Sequence, residues 1–214
     1  MFSMRLALTF TAIAAMVSLP LLPARAAEES GQRWDFGEAS GTLPAWLLAP
    51  TGSWEIRDAP DAPSGKRALF QKGKGAGAPY NLAVVAETRL KDLTLTAYLK
   101  AVAGEEDQGG GLVWRYRDPG NYYVARFNPL EDNYRVYKVV NGSRRELGSA
   151  RVKPGPGWHR LDVRMTGSRI TCGLDGKTYL NVEDGTFPAA GAVGVWSKAD
   201  AQTLFAGLEA HALR

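Results

Sequence analysis

Trp114, Arg115, Tyr122, Tyr123, Arg126, Asn128, Glu131, Asp132 and Asn133 fall within one short stretch. That mixture is what a sugar site requires. Sugars have apolar faces that stack on aromatic rings, and hydroxyls that need donors and acceptors held beside those rings. Alternation places Leu112, Trp114 and Tyr116 on one side of a strand, with Val113, Arg115 and Arg117 on the other. Tyr122, Val124 and Arg126 likewise oppose Tyr123, Ala125 and Phe127. Half of these aromatics must fill a core, and an Arg126 ion pair with Glu131 or Asp132 would by itself fix the loop. A second cluster is Trp196, Lys198 and Asp200. Trp196 is opposite in parity to Val193 and Val195. Its plain reading is an edge tryptophan covering the core, with Lys198 and Asp200 in a solvated turn.

Other chemistries find less support. Glycoside hydrolysis needs two carboxylates across a cleft. Glu105-Glu106-Asp107 is acidic but lies in a Gly-flanked loop. Asp162 alternates with Arg160 and Arg164, which reads as a cross-strand charge ladder. The two histidines, His159 and His211, do not make a zinc set, and His159 shares an apolar face with Leu161 and Val163. No Gly-x-Ser-x-Gly elbow or phosphate loop is present; Lys72–Gly77 is glycine-rich without a strand–helix context. Cys172 is the single cysteine. It alternates with Ile170 and Leu174 and reads as a small buried apolar side chain. No metal or other cofactor is placed, and calcium has no motif to support it.

These residues sit on strands separated by turn signals. Gly109–Gly142 holds three strand-like runs between Asp118-Pro119-Gly120-Asn121, the 128–133 loop and Asn141-Gly142, the pattern of a β-meander. Trp158–Met165 alternates cleanly, as do Leu93, Leu95, Ala97 and Leu99 against Thr94, Thr96, Tyr98 and Lys100. Asp175-Gly176 marks a further hairpin. Ser53–Arg57, Ala68–Gln71, Asn81–Glu87, Lys177–Val182, Ala192–Ser197 and Thr203–His211 complete the set. Closely spaced turns without helical segments predict an all-β antiparallel sandwich of the jelly-roll kind.

The chain has 214 residues and a net charge of +4. Its first 26 residues read as a signal peptide: a basic start, an apolar run from Leu6 to Leu22, and Ala24-Arg25-Ala26 before a cut after Ala26. Residues 27–214 are then one domain, in the periplasm or secreted, with no membrane span after cleavage. Removing Arg5 and Arg25 lowers the net charge from +4 to +2. The remaining basic residues are interspersed with acidic ones, which argues against nucleic acid as the partner.

The ordered motifs Gly111–Asp118, Asn121–Arg126, Asn128–Asn133, Tyr137–Gly142, Gly157-Trp158, Asp175-Gly176-Lys177 and Val193–Asp200 carry a resemblance. So do Trp34-Asp35-Phe36, Leu43–Trp46 and Gly52–Ile56. Over residues 33–211 the chain resembles exported bacterial domains of the concanavalin A-like lectin/glucanase superfamily, in the laminin-G-like group. Such chains are often grouped with the 3-keto-disaccharide hydrolase (DUF1080) domain. The resemblance implies a concanavalin A-like sandwich. It leaves three functions: a carbohydrate-binding module, a glycoside hydrolase on 3-keto-disaccharides or related glycans, or a protein-binding adhesion module. The strand-borne Glu-x-Asp-x-x-Glu of the superfamily's glucanases is absent from the sequence. Phe205 is followed by Ala206-Gly207, where similar chains tend to carry acids.

Overall fold

The computed structural model describes residues 31–73 and 80–213. The expected signal peptide and most of the glycine-rich loop lie outside the described residues. Fifteen strands occur and no helix is present among the described residues. No helix long and apolar enough to cross a membrane occurs there either.

The strands, numbered along the chain, form two antiparallel sheets. In spatial order the first runs β13 (Lys177–Glu183), β12 (Arg169–Leu174), β11 (Trp158–Thr166), β6 (Leu93–Ala103), β15 (Gln202–Ala212), β4 (Arg67–Lys72) and β3 (Trp54–Asp58), with β1 (Gly31–Trp34) pairing onto β15. The second runs β10 (Ser143–Arg151), β9 (Asn133–Val140), β8 (Asn121–Asn128), β7 (Gly110–Asp118), β14 (Gly191–Lys198), β5 (Tyr80–Leu90) and β2 (Leu47–Thr51). The expected sandwich is therefore observed. Strands distant in sequence lie side by side: β14 enters between β7 and β5, and β15 between β6 and β4.

Alternation explains the first sheet. On β6, Leu93, Leu95, Ala97 and Leu99 are buried while the intervening residues are half-exposed. On β11, His159, Leu161, Val163 and Met165 face inward and Arg160 and Arg164 face water. Both hairpin signals act as expected. Asn141 and Gly142 have φ of 50° and 80°, and Asp175 and Gly176 of 52° and 79°. Positive φ at both central residues is the type I′ geometry that matches strand twist. Between the sheets lies one apolar core, containing Ile56, Leu69, Leu112, Trp114, Tyr123, Phe127, Val136, Val195 and Phe205 among others.

The second sheet departs from a wet-faced pattern. β8 and β14 are buried along almost their whole length. Their outward side chains belong to a separate apolar cluster of Leu82, Val113, Tyr122, Val124, Tyr137, Val139 and Trp196. One irregularity contributes. Arg115 has φ of 46°, and the β7–β8 register shifts between Trp114 and Asp118. This bulge turns Tyr116 from the Trp114 side, where simple alternation puts it, to pack on the outer cluster.

The candidate sugar-binding face

The outer face of the second sheet is concave. β10 and β5 are five strand spacings apart, about 24 Å in a flat sheet. The Arg144 guanidinium on β10 nonetheless lies 5.6 Å from the ring of Tyr80 on β5. The two side chains together span roughly 10 Å, so the sheet must curl inward to bring them together.

The middle of this face is aromatic. Trp196 and Tyr122 are both fully buried, and Trp196 Nε1 donates to the Tyr122 hydroxyl at 3.2 Å. Tyr80 lies 5.3 Å from Trp196, and Tyr116 lies 6.1 Å from Tyr122. Burial pushes both the Tyr122 and the Tyr116 hydroxyl up from the ordinary phenol range, so both stay neutral donors at physiological pH. Arg144 reaches over this floor, 4.4 Å from Tyr137 and 6.0 Å from Trp196. Its Nη1 is buried without a hydrogen-bond acceptor among the described residues.

One end of the face is polar and tightly knit. Arg126 is only 2% exposed and Asp107 1%. Arg126 Nη2 donates to Asp107 Oδ1, and Nη1 donates to Glu131 Oε2 at 3.4 Å. Asn128 Nδ2 also donates to Asp107 Oδ1, at 3.0 Å, while Lys198 Nζ lies 3.1 Å from Asp107 Oδ2. The Asn128 side-chain oxygen accepts the backbone N–H groups of Leu130 and Glu131, which shapes the 128–133 turn. Asn133 Nδ2 donates to Glu131 at 2.8 Å. That bond is the main reason the Glu131 carboxyl is held below its ordinary value; burial opposes it, and Arg126 and Arg135 assist. Asp200 accepts the backbone N–H groups of Glu105, Glu106 and Asp107 and so fastens the acidic loop. These bonds outweigh a burial effect of opposite sign and hold the Asp200 carboxyl low. Asp132 stands apart from this knot, 3.3 Å from Lys153.

The structure thus joins Arg126, Asn128, Glu131, Asn133, Lys198 and Asp200 in one network, and places Trp196 and Tyr122 beside it. Trp196 is not an edge residue: its ring lies within the outer cluster, under Arg144. Lys198 and Asp200 are not a free solvated turn. Two other candidates leave the site. Trp114 lies in the inter-sheet core, stacked on Tyr123 and 3.0 Å from the Met165 sulfur. Arg115 is buried and donates to the carbonyls of Lys91, Phe187 and Gly167 and to Asp92. The left-handed backbone at Arg115 carries its side chain into that nest of loop carbonyls. His159 is fully engaged, by Asp175 and the Gly155 carbonyl.

Asp107, Arg144, Tyr137 and Tyr80 were not singled out from sequence as site residues. Arg144 was within reach. The type I′ turn at Asn141-Gly142 sets it opposite Val139, and Val139 opposite Tyr122. Asp107 lies three residues before the Gly110↔Phe127 pair of the β7–β8 hairpin, which sets it beside Arg126 and Asn128; only its contact with Lys198 needs the non-local sheet topology. Among the described residues no cluster of three or more His, Cys, Asp or Glu is arranged to hold a metal ion.

No family model matches the sequence, and no curated protein does. Solved structures do resemble the fold. The carbohydrate binding module CBM66 from Bacillus subtilis superposes with a TM-score of 0.65 at 18% identity, covering 78% of this chain and 96% of that one. The GH43 BlXynB protein from Bacillus licheniformis gives 0.61 at 17% identity; the match covers 85% of this chain but only 39% of the larger protein. Domain 4 of AbnA, a GH43 extracellular arabinanase from Geobacillus stearothermophilus solved with arabinotriose, gives 0.54 at 10% identity over 78% and 82%. At these identities the likeness establishes the β-sandwich.

Proposed function

We propose that this chain is an exported carbohydrate-binding β-sandwich module that takes its glycan on the concave face of the second sheet. The observation that carries the reading is the run of Tyr116, Tyr122, Trp196, Tyr80 and Tyr137 on that face, continuous with the polar knot around Arg126. Tyr80 and Tyr116, the half-exposed rings of that run, offer the apolar stacking surface over a buried floor of Tyr122, Trp196 and Tyr137, and the exposed parts of Glu131, Arg135 and Lys198 offer donors and acceptors at its border. The likeness to modules named for carbohydrate binding agrees with this reading.

A hydrolase on the same face is the second reading, in keeping with the 3-keto-disaccharide grouping. Asp107 and Glu131 do meet one guanidinium. Glycoside hydrolysis, however, needs one carboxyl that is protonated at working pH. Glu131 is instead held below its ordinary pKa, and Asp107 is buried between two cations and an amide. Both carboxylates serve the architecture better than they would serve an acid. A protein-binding role would call for a contiguous apolar patch. The exposed large hydrophobics among the described residues, Leu48, Val102 and Leu130, lie on separate segments.

The test is titration of soluble glycans into the purified chain from Ala27 to Arg214, with calcium and with a chelator, followed by tryptophan fluorescence. We expect saturable binding that perturbs the tryptophan fluorescence, is indifferent to chelation, and leaves the glycan uncut. Sustained release of shorter products would move the assignment to a hydrolase. Failure of every glycan to bind a well-folded sample would overturn the module reading.

A further inference from the structure

We propose that the cavity at the Tyr116 end of the concave face is a subsite for a carboxylate-bearing sugar, with Arg89 and Arg117 reading the carboxylate. This rests on the carbohydrate-binding reading and narrows it to uronic-acid glycans.

The cavity measures about 330 Å³ and lies where β2, β5, β14 and β7 meet. That volume suits one or two sugar rings and falls at the small end of ligand pockets. Leu48, Val84, Ala192 and the Tyr116 ring give it an apolar lining. A pyranose presents its C–H face to such a surface.

The charged groups of the lining are Arg89 and Arg117, with no acid among them. Arg89 is pinned by its Nη1, which donates to the Ala86 carbonyl at 2.8 Å and the Thr88 carbonyl at 2.7 Å. Its Nε and Nη2 have no acceptor among the described residues. The Arg117 guanidinium rests over the Phe187 ring at 5.2 Å. Neither arginine has an ion-pair partner among the described residues, although exposed Glu87 and Asp118 lie nearby in sequence. Asp118 is occupied by the Gly120 backbone N–H and the Asn121 amide.

Several other cations of this sheet are paired, although Arg145 and Arg151 on the edge strand β10 have no ion-pair partner among the described residues. Arg126, Arg135, Lys138 and Lys198 all meet carboxylates. A guanidinium fork held on a ring or by backbone carbonyls, with its remaining donors free, is matched to a ligand carboxylate. Tyr116 connects the cavity to Tyr122 and Trp196, and beyond them Arg144 is a third guanidinium without a carboxylate partner. A glycan laid along the face from the cavity therefore passes uncompensated positive charge twice.

The experiment compares oligomers of galacturonate, guluronate and glucuronate with their carboxyl-reduced neutral counterparts, titrated into the chain from Ala27 to Arg214. We expect at least one acid oligomer to bind at least ten-fold more tightly than its neutral form, with a preference that shrinks as salt rises. Arg89→Ala and Arg117→Ala should each lower the acid affinity by about ten-fold, and together they should abolish the preference. Both side chains are exposed, so the melting temperature should hold, which separates lost binding from lost fold. Equal affinity for acid and neutral forms, or an unchanged preference in the double variant, would overturn this inference and leave the module reading standing. Binding of neutral glycans alone would do the same. Binding of no glycan at all would overturn both.

Discussion

Replacing Arg126 with alanine separates a ligand contact from a structural pin. The Arg126 side chain is 2% exposed, and Asp107, its partner, 1%. Breaking one side of a buried pair costs about 3–5 kcal/mol, because the remaining charge is left in a low-dielectric site. Here Asp107 keeps Lys198 at 3.1 Å and the Asn128 amide at 3.0 Å, which places the cost near the lower limit, at about 3 kcal/mol. A domain of this size loses roughly 2–4 °C of melting temperature per kcal/mol. Arg126→Ala should therefore melt about 6–12 °C below the parent chain, measured by circular dichroism. Asp107→Asn should cost more than Arg126→Ala, since it leaves the buried guanidinium with only Glu131, which is 42% exposed. The double variant should cost less than the two singles added, as expected for partners in one network. An Arg126→Ala chain that loses under 1 kcal/mol of stability but loses all glycan binding would refute this. Arg126 would then be a ligand contact, and its pairing with Asp107 incidental.

Three further outcomes follow from single groups. Burial works to raise the Asp184 carboxyl, but hydrogen bonds from Lys138, the Tyr123 hydroxyl and Thr186 outweigh it and hold the group at about 2; a folded pKa below the unfolded value of 3.8 gives stability that is fully present above about pH 5 and is lost as pH falls towards 2. Asp184→Asn should thus cost about 2 kcal/mol at pH 7 and almost nothing at pH 2, and a pH-independent cost in denaturant titrations would contradict the assignment. For Arg144→Ala, the cation–π gain of about 0.5–2 kcal/mol is offset by the buried unpaired Nη1, which costs about 1–3 kcal/mol. Stability should change little while Trp196 becomes accessible to acrylamide quenching; a loss above about 2 kcal/mol would show that Arg144 has a partner of consequence. Burial pushes the Cys172 thiol up from its ordinary range, so a thiol reagent should label it only at the rate of global unfolding, and Cys172→Ser should leave glycan binding intact; labelling of the folded chain would count against its placement in the core.

The sandwich was legible because its strands are governed by local rules. Leu93, Leu95, Ala97 and Leu99 alternate on β6, and Asn141-Gly142 and Asp175-Gly176 can hardly be anything but type I′ turns. Edge strands were less legible. Leu47–Thr51 carries Pro50 and lacks a clean alternation, and Gly31–Trp34 is a four-residue strand whose only strand partner is β15 among the described residues. The bulge at Arg115 could not be read from period two, because it breaks that period. As a result Trp114 and Tyr116, two residues apart, end up on opposite sides of the sheet. Most of the polar knot was legible for the opposite reason. Arg126, Asn128, Glu131 and Asn133 belong to one hairpin, so local register brings them together. Asp107, just before β7, is brought to Arg126 and Asn128 by the β7–β8 hairpin, whereas Lys198 joins them only once β14 inserts beside β7.

The two ends of the concave face differ in one physical respect, and that difference assigns their roles. At the Arg126 end Arg126, Arg135 and Lys198 already have carboxylate partners, and breaking the Arg126–Asp107 pair costs stability before it costs affinity. At the Tyr116 end the cations rest on a ring or on carbonyls with no carboxylate, so removing them should cost affinity before stability. Buried, paired charge rigidifies a face even where, as at Arg126 Nε, one donor lacks an acceptor among the described residues; exposed charge without a carboxylate partner beside an apolar lining waits for a ligand. If the Arg126 variants prove stable and non-binding while the Arg89 and Arg117 variants bind normally, the assignment of the two ends must be reversed. The same pair of measurements, melting temperature and affinity on the same variants, decides it.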